Sequence, residues 1–410
     1  MASTSPVKPP RKFNHLFTQR TSPPFCLTQA LTFDFIKGQK PVGNAVRDAA
    51  CYILYSLVRT TPPALLEPFI PAIAVRLVCV ATLDPSTTIR RAASAAFQEL
   101  VGRQSFGVDR VPQGITVLSM MDYHAVGARR GAFEVASQVA AVDGRYREGL
   151  VEWCVVRGVG HWEEKGREGA AKVLGKMFLD DRKGIELVLQ QLVTKSRMVL
   201  IKIAYLPQLD VFRIHGSLLA IGELILTLSE DEISTHEDLY KVYPTLRHSV
   251  QDVQYCLQKL PDYAKKSVHA SLITNASLQF IKCISSSQLP ITDTTLELYI
   301  QLIELSFHKS SELIQQTASE ALGELSIRQD ISSHLSIWFR NLQGKSSFIV
   351  HRGWALTFGY IHLSQYDDVL SVLYDSIERE MDIEAKRNAI KSVGLIFSRA
   401  QVVKCPSLFD

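Results

Sequence analysis

An apolar stripe that returns along the chain at nearly constant intervals constrains the fold more than any other feature of this sequence. In RRAASAAFQELVGR, apolar side chains fall at i, i+3, i+4, i+7 and i+8, which is the spacing of a helix with one face in a core. Small residues open the stripe, where a neighbouring helix must approach closely, and larger residues follow one turn later. The same pattern, complete or shortened, recurs at residues 50–58, 132–140, 170–178, 217–225, 318–325, 354–361 and 389–396.

The intervals between these stripes predict paired helices. Successive stripes lie 35 to 47 residues apart, apart from one gap of 101 residues between those centred on 221 and 322. HEAT and armadillo repeats run at about 40–47 residues. The chain is therefore predicted to be all-α, an α-solenoid of eight or nine HEAT/armadillo-like helical-pair repeats. First helices of pairs are predicted at 64–82, 146–156, 184–198, 296–307, 332–342 and 367–379, with a degenerate repeat at 267–284 inside the long gap.

The two ends of the chain differ from the repeats. Residues 1–29 carry four basic side chains, no acidic one and several prolines. We interpret them as a disordered basic tail rich in Pro, Ser and Thr rather than a transit peptide, because proline interrupts an amphipathic helix. The solenoid is predicted at 30–400, with less regular stretches at 102–125 and 228–300, followed by an irregular C-terminal end at 401–410.

Charge and cysteine usage exclude several classes of protein. Lys and Arg number 45 against 41 Asp and Glu, a near balance without the dense basic stripe of a nucleic-acid-binding domain. The seven cysteines are scattered and form no Cys-x-x-Cys pair, so we expect neither a disulfide framework nor structural zinc, and a reducing compartment. No membrane span is expected, because Glu67, Pro68 and Arg76 interrupt the most apolar stretch, residues 65–83.

Motifs that carry chemistry are missing from the sequence. There is no phosphate-binding loop, dinucleotide fingerprint, His-Glu-x-x-His motif or Gly-x-Ser-x-Gly elbow, so no catalytic residue, cofactor site or metal site is predicted. Arg47, Arg90 and Arg167 each stand just before an apolar stripe. In this repeat class such an arginine bonds acidic and carbonyl groups of neighbouring turns, and we favour that interpretation over partner binding.

Several strings of residues match one family of longer proteins. RRAASAAFQELVGRQ at 90–104 and NAVRDAACY at 44–52 are highly specific, since a generic repeat would share only their apolar positions. Shorter matches are ALTFDFIKG from residue 30, DYHAVGARR at 122–130, HW at 161–162, RIHGSLLA at 213–220 and HRGWALTFGY at 351–360. Between residues 30 and 398 the chain resembles the central portion of tubulin-folding cofactor D, least well at 228–300. Residues 1–29 and the terminal CPSLFD do not fit the family, so a fragment or truncated form is expected.

The resemblance implies a chaperone and not an enzyme. Proteins of this family bind β-tubulin, work with tubulin-folding cofactors C and E and an Arf-like small GTPase, and assemble or dissociate the αβ-tubulin heterodimer. The assembly stimulates GTP hydrolysis by tubulin, which implies a contribution to GTPase activation, in the cytoplasm and at the microtubule cytoskeleton. Two alternatives stay open: a generic HEAT scaffold of the transport or phosphatase-scaffold type, and an enzyme whose site is assembled across distant repeats.

Partner contacts are expected where the chain departs from core spacing and also matches the family strings, because loops on one face of a solenoid often bind partners. The candidates are Arg103, Gln104, Asp122, Tyr123, His161 and Trp162. We further expect the chain alone to self-associate or to be poorly soluble, because its outermost stripes at 49–58 and 389–397 offer apolar faces where a polar cap is required. A monodisperse monomer in light scattering would count against this expectation.

Overall fold

The computed structural model describes residues 23–37, 40–104, 110–180, 182, 184–196, 210–229, 239–260, 269–287, 289–344, 346–363 and 366–403. The predicted all-α class is confirmed in these residues, with a single small β-hairpin added to the helices. The chain forms two compact units. Unit 1 comprises residues 1–158 and 162–180, and unit 2 comprises 159–161 and 181–410.

Unit 1 is built from packed helices, with the hairpin between its first two. Its elements are α1 (Pro23–Ala30), β1 (Phe35–Lys37), β2 (Lys40–Val42), α2 (Asn44–Thr60), α3 (Pro63–Leu66), a 3-10 turn (Glu67–Phe69), α4 (Ile70–Leu83), α5 (Thr87–Gln104), α6 (Gly114–Met120), α7 (Arg129–Val142), α8 (Gly144–Trp153), a π-helical segment (Cys154–Gly158) and α9 (Glu164–Met177). Helix α2 packs on α5, α4 packs on both α5 and α7, and α7 packs on α9.

Unit 2 has two layers of helices. Its elements are α10 (Ile185–Lys195), α11 (Val211–Ser229), α12 (Leu239–Val242), α13 (Pro244–Gln258), α14 (Ala270–Ser286), α15 (Asp293–Ser306), α16 (Glu312–Arg328), α17 (Ser332–Gln343), α18 (Phe348–Thr357), α19 (Asp367–Arg379) and α20 (Ile383–Val403). The striped helices α11, α14, α16, α18 and α20 pack on one another in chain order, and each of α15, α17 and α19 packs on the striped helix that follows it.

The predicted apolar stripes are buried with few exceptions. All five stripe positions of α5 are at most 8% exposed, and those of α7, α9 and α11 are also buried. The exceptions are Val393 of α20, which is half-buried, and two positions of α2. There Leu57 is half-buried and Ile53 is 47% exposed, although the stripe placed both in the core. The core face of α2 instead contains Arg47, Cys51, Leu54 and Val58. The helix therefore has two apolar faces, and packing in unit 1 covers one of them.

Element boundaries differ from the predictions in three places. Residues 23–29 belong to α1, although the tail was predicted to extend over 1–29; a helix is possible there because proline is tolerated in its first turn. The less regular stretches hold the short helix α6 and the amphipathic helix α13. Helix α18 ends at Thr357, so the buried Ile361 belongs to the following turn. Residues 1–22 and 404–410 lie outside the described residues, and the predicted domain limits stay a prediction.

Three buried arginines hold neighbouring turns together, as the sequence predicts. Arg47, Arg90 and Arg167 are each at most 2% exposed. The Arg47 Nε lies 2.7 Å from the Asp84 carboxylate, which joins α2 to the connection between α4 and α5. The Arg167 Nη1 donates to the carbonyl oxygen of Trp162 at 2.9 Å. The interpretation of these arginines as structural residues is confirmed.

Two apolar stretches reach the length and hydropathy of a membrane span, contrary to the expectation drawn from the interrupting charges and prolines. They are Pro63–Leu83, with a mean hydropathy of 1.9, and Val211–Ser229, with 1.5. In the described structure 50% and 72% of their respective windows are buried against other helices. Core helices of a soluble protein pass the same test of length and composition, so hydropathy alone is weak evidence for a span here.

Thiol labelling of the native chain should separate the cysteines by burial. Burial raises the pKa of Cys51, Cys79 and Cys256 to about 12, whereas Cys26 is exposed. Since the thiolate is the nucleophile, we expect iodoacetamide at neutral pH to modify Cys26 at least about a hundredfold faster than the three buried thiols. Peptide mass mapping measures the rates, and the difference should vanish in concentrated urea. Comparable native rates would contradict the described core.

Candidate partner-binding surface

Side chains of α5 fix the loop between α6 and α7. The buried Arg90 guanidinium donates from Nε to the carbonyl oxygen of Val126 at 2.7 Å and from Nη2 to that of Gly127 at 2.8 Å. The Ser94 hydroxyl donates to the carbonyl oxygen of Met121 at 2.7 Å. The side chains of Met121 and Val126 are fully buried. Both ends of the loop are therefore anchored in the core of unit 1.

Tyr123 projects from this anchored loop with 58% of its surface exposed. The Arg91 guanidinium lies over its ring, with 3.9 Å between Cζ and the ring centroid. The exposed Asp122 carboxylate accepts hydrogen bonds from the backbone N–H groups of Ala125 and His124, which hold the pKa of Asp122 below its usual range. We name Arg91, Asp122 and Tyr123 the Tyr123 platform. Tyr and Arg dominate binding hot spots, and an ordered loop loses little entropy when it binds.

Two other predicted contact residues have partners inside unit 1. Gln104 is 2% exposed, and its Nε2 donates to the carbonyl oxygen of Val58 at 2.8 Å, which ties the end of α5 to α2. The Trp162 indole N–H donates to the Asp34 carboxylate at 3.1 Å. Both side chains therefore have a structural role within unit 1. In this conformation a partner cannot reach the Gln104 amide.

The remaining two candidates lie apart from the Tyr123 platform. Arg103 is exposed at the end of α5 and pairs with Glu99, with 3.4 Å between Nε and Oε2. It follows Arg91 by twelve residues, or about 18 Å along the helix. His161 belongs to unit 2, whereas the other five candidates belong to unit 1. The structure therefore brings Asp122 and Tyr123 together, and partner contact by Arg103 or His161 stays a prediction.

Sequence reasoning missed Arg91, the cation that supports Tyr123. The repeat pattern assigns a structural position to Arg90, but it assigns no role to the next residue, Arg91. Gly127 was the available signal, because a Cβ there would lie 2.8 Å from the Arg91 Nη2 and 3.0 Å from the carbonyl oxygen of His124. Glycine at this position lets the arginine approach the loop closely enough to cover the tyrosine ring.

Among the described residues, neither a metal site nor the cavity in unit 2 suggests a function other than partner binding. Within the described ranges, no group of three or more His, Cys, Asp or Glu side chains is placed to hold a metal ion. A cavity of about 330 Å³ opens in unit 2 between α13, α14 and α15. Seven of its twelve lining residues are apolar, Leu257 and Leu302 among them, and His308 and Lys309 are among the other five. This lining offers shape and apolar contact rather than an arrangement of nucleophile, base and oxyanion donor.

The paired helices and the anchored aromatic loop define a helical-repeat scaffold protein of the HEAT/armadillo class. Comparison with known proteins is more specific. Residues 22–115 match a family described as tubulin-specific chaperone D-like, ARM repeats. The tubulin-specific chaperone D of Dictyostelium discoideum is 31% identical over 207 residues, and the tubulin-folding cofactor D of Schizosaccharomyces pombe is 27% identical over 96 residues. The resemblance inferred from the sequence strings is confirmed for this part of the chain.

The matched regions are small parts of these relatives. They cover 50% and 23% of this chain but 13% and 8% of the Dictyostelium and Schizosaccharomyces proteins, respectively. Among solved structures, one described as the Pds5–Scc1 complex has a TM-score of 0.29 and 11% identity over 87% of this chain and 54% of its own. A likeness of that size carries no argument about function.

Proposed function

We propose that this chain is part of a tubulin chaperone and acts by binding tubulin rather than by catalysing a reaction. The observation that carries the proposal is the similarity to chaperone D proteins over half of the chain, together with a family match at 22–115. The helical scaffold supports it physically. Repeats that contact their neighbours in series present long surfaces, and such surfaces suit a large folded client.

The finer proposal concerns partners. The client is β-tubulin, and the activity is assembly or disassembly of the αβ-tubulin heterodimer in the cytoplasm, at the microtubule cytoskeleton. Tubulin-folding cofactors C and E and an Arf-like small GTPase are the further partners. The chain contributes to GTPase activation of tubulin within such an assembly, without supplying a catalytic group of its own.

The Tyr123 platform is our proposed contact with the client. Exposed tyrosines paired with arginines bury large, rigid surfaces at low cost in side-chain entropy. The Arg91 guanidinium at 3.9 Å restrains the ring before binding, and Arg90 fixes the loop beneath it. A client would therefore meet a preorganised aromatic surface rather than a mobile loop.

Replacing Tyr123 by alanine should weaken tubulin binding by at least about tenfold, the loss expected for a hot-spot aromatic side chain. Thermophoresis with the full 410-residue chain and purified αβ-tubulin measures the dissociation constant. Tyr374, an exposed tyrosine on α19 of unit 2, offers a matched control. Its replacement by alanine should change the dissociation constant by less than about twofold, the usual effect outside a hot spot.

The outcomes separate the proposals. If the unaltered chain does not bind tubulin, the chaperone assignment fails for this part of the family protein and a generic scaffold becomes the better interpretation. If the chain binds but Tyr123→Ala and Tyr374→Ala behave alike, the client surface lies elsewhere. For GTPase activation, GTP hydrolysis by tubulin in the presence of cofactors C and E should rise when the chain is added, and an unchanged rate would remove that part of the proposal.

A further inference from the structure

Helix α2 presents an uncharged face to solvent. Val46, Tyr52 and Ile53 are 41%, 71% and 47% exposed, and Ala45 and Ala49 are exposed between them. These positions lie on one side of the helix, opposite the core face that contains Leu54 and Val58. A solvent-exposed helix usually carries charged residues on its outer face, so this face has the composition of a contact surface.

The residues of this face suit another helix as the covering element. Ala45 and Ala49 are one turn apart and let a helix backbone approach closely, and Tyr52 and Ile53 follow with large apolar side chains. The same order of small and then large residues opens the stripes through which helices pack inside this chain, as at Ala93, Ala96 and Phe97 of α5. A partner helix with the same pattern would therefore be complementary.

Two charges at the edge of the face are arranged for a second copy of this helix. Asp48 and Arg59 are eleven residues apart, or about three helical turns, so both lie along the same edge. In an antiparallel pair of α2 helices related by a two-fold axis near Ile53, Asp48 of each copy faces Arg59 of the other. Asp48 is exposed and forms no ion pair with any described residue. The Arg59 side chain is 44% exposed; it donates to the Tyr55 hydroxyl at 2.7 Å and lies 3.7 Å from the Glu99 carboxylate, so a second copy would add Asp48 as a further partner at this edge.

We propose that this chain forms a homodimer through antiparallel packing of the exposed faces of α2, with reciprocal Asp48–Arg59 ion pairs. An isologous interface of this kind is the commonest form of protein self-association, because one self-complementary patch is sufficient. The proposal identifies the element responsible for the self-association expected from the sequence. It is independent of tubulin binding.

The size of the face sets the strength of the dimer. Helix α2 has 17 residues. At 1.5 Å per residue and about 10 Å of width, it offers on the order of 250 Å² per copy, against about 800 Å² per partner in a stable complex. The dimer is therefore weak, with a dissociation constant on the order of 10–100 μM.

Charge reversal tests the geometry directly. Sedimentation velocity of the full chain between about 1 and 200 μM should show a monomer–dimer equilibrium in the range expected for a small interface. Asp48→Arg and Arg59→Asp should each weaken it by about tenfold, because both symmetry-related ion pairs become repulsive. An equimolar mixture of the two single variants should recover association, since each reversed charge then faces its opposite. Tyr52→Glu should abolish the dimer.

Controls keep the result interpretable. All altered side chains are at the surface, so circular dichroism spectra and thermal midpoints should match those of the unaltered chain. A monomer at every concentration would overturn the proposal. So would a dimer that survives Tyr52→Glu, or single variants whose mixture associates no better than either alone, because the contact would then not be an antiparallel α2 pair.

Discussion

Replacing Arg47 by alanine is expected to lower the free energy of unfolding of unit 1 by about 3–5 kcal/mol. The Arg47 side chain is 2% exposed and its Nε lies 2.7 Å from the Asp84 carboxylate, which is equally buried. It also donates to the carbonyl oxygen of Phe33 and to the Asn44 side chain, each at 2.8 Å. The substitution leaves a buried carboxylate without its counter-ion. Urea unfolding followed by circular dichroism measures the loss, and hydrogen exchange of α2 and α5 peptides locates it.

The decrease in the free energy of unfolding caused by Arg47→Ala should also depend on pH. Burial raises the pKa of Asp84 above its usual range, and the nearby Arg47 cation partly opposes that rise. Without Arg47 the pKa of Asp84 rises further. Between the unfolded-state and folded-state pKa values, the folded chain then keeps a proton on Asp84 that the unfolded chain has released. The free energy of unfolding of the variant therefore falls as pH increases through this range. The difference from the unaltered chain should be larger near about pH 7.5 than near about pH 5.

Two further variants test whether the Arg47–Asp84 pair is responsible. Adding Asp84→Asn to Arg47→Ala should recover part of the lost stability, because no buried charge then remains. Arg59→Ala removes a half-exposed arginine from the same helix and should change the free energy of unfolding by less than about 0.5 kcal/mol. Equal losses for Arg47→Ala and Arg59→Ala would show that the buried network does not stabilise unit 1.

Replacing Trp354 by alanine is expected to cost about 3–5 kcal/mol in unit 2. Trp354 is 1% exposed, and its ring centroid lies 4.7 Å from that of Phe307 and 5.1 Å from that of Trp338. The neighbouring Gly353 is packed so closely that a Cβ there would lie 2.5 Å from Phe307. A cluster packed this tightly cannot fill the space that the indole leaves. The substitution therefore removes packing contacts and also leaves a cavity, and both effects lower the free energy of unfolding. Urea unfolding by circular dichroism provides the measurement.

A control for Trp354 comes from the same helix. Phe348 is 54% exposed at the start of α18, so Phe348→Ala should change the free energy of unfolding by less than about 0.5 kcal/mol. Comparable losses for Trp354→Ala and Phe348→Ala would contradict the described packing. Hydrogen exchange should show faster exchange in α17 and α18 peptides for Trp354→Ala alone, because these helices carry Trp338 and Trp354 of the aromatic cluster.

Much of the candidate surface can be predicted from the sequence alone. Asp122 and Tyr123 stand out because they interrupt the helical spacing and belong to a family string. Gln104 meets the same two criteria but is buried, because its amide is needed to bond the carbonyl oxygen of Val58 at the end of α2. A polar residue that interrupts an apolar pattern needs a hydrogen-bonding partner. The pattern does not tell whether that partner belongs to another molecule or is a distant backbone group of the same chain.

The repeated stripe by itself determined the class of fold. The residues at 93–101 were predicted to share one helix face and all five apolar positions are buried, because helical geometry alone decides which side chains of a local segment lie together. The specific strings also determined the resemblance to chaperone D proteins. Neither inference requires knowledge of which helices are neighbours in space.

Tertiary structure decided the choices that local geometry leaves open. Helix α2 has two apolar faces, and only the position of α5 beside it selects the face with Leu54 and leaves Ile53 in solvent. The repeat pattern predicts a structural role for Arg90 but none for Arg91, whose guanidinium covers Tyr123 because the loop between α6 and α7 lies beside α5. Both outcomes depend on contacts with groups more than thirty residues away in the sequence. The apolar pattern of a single helix contains no information about such contacts or about their free energy.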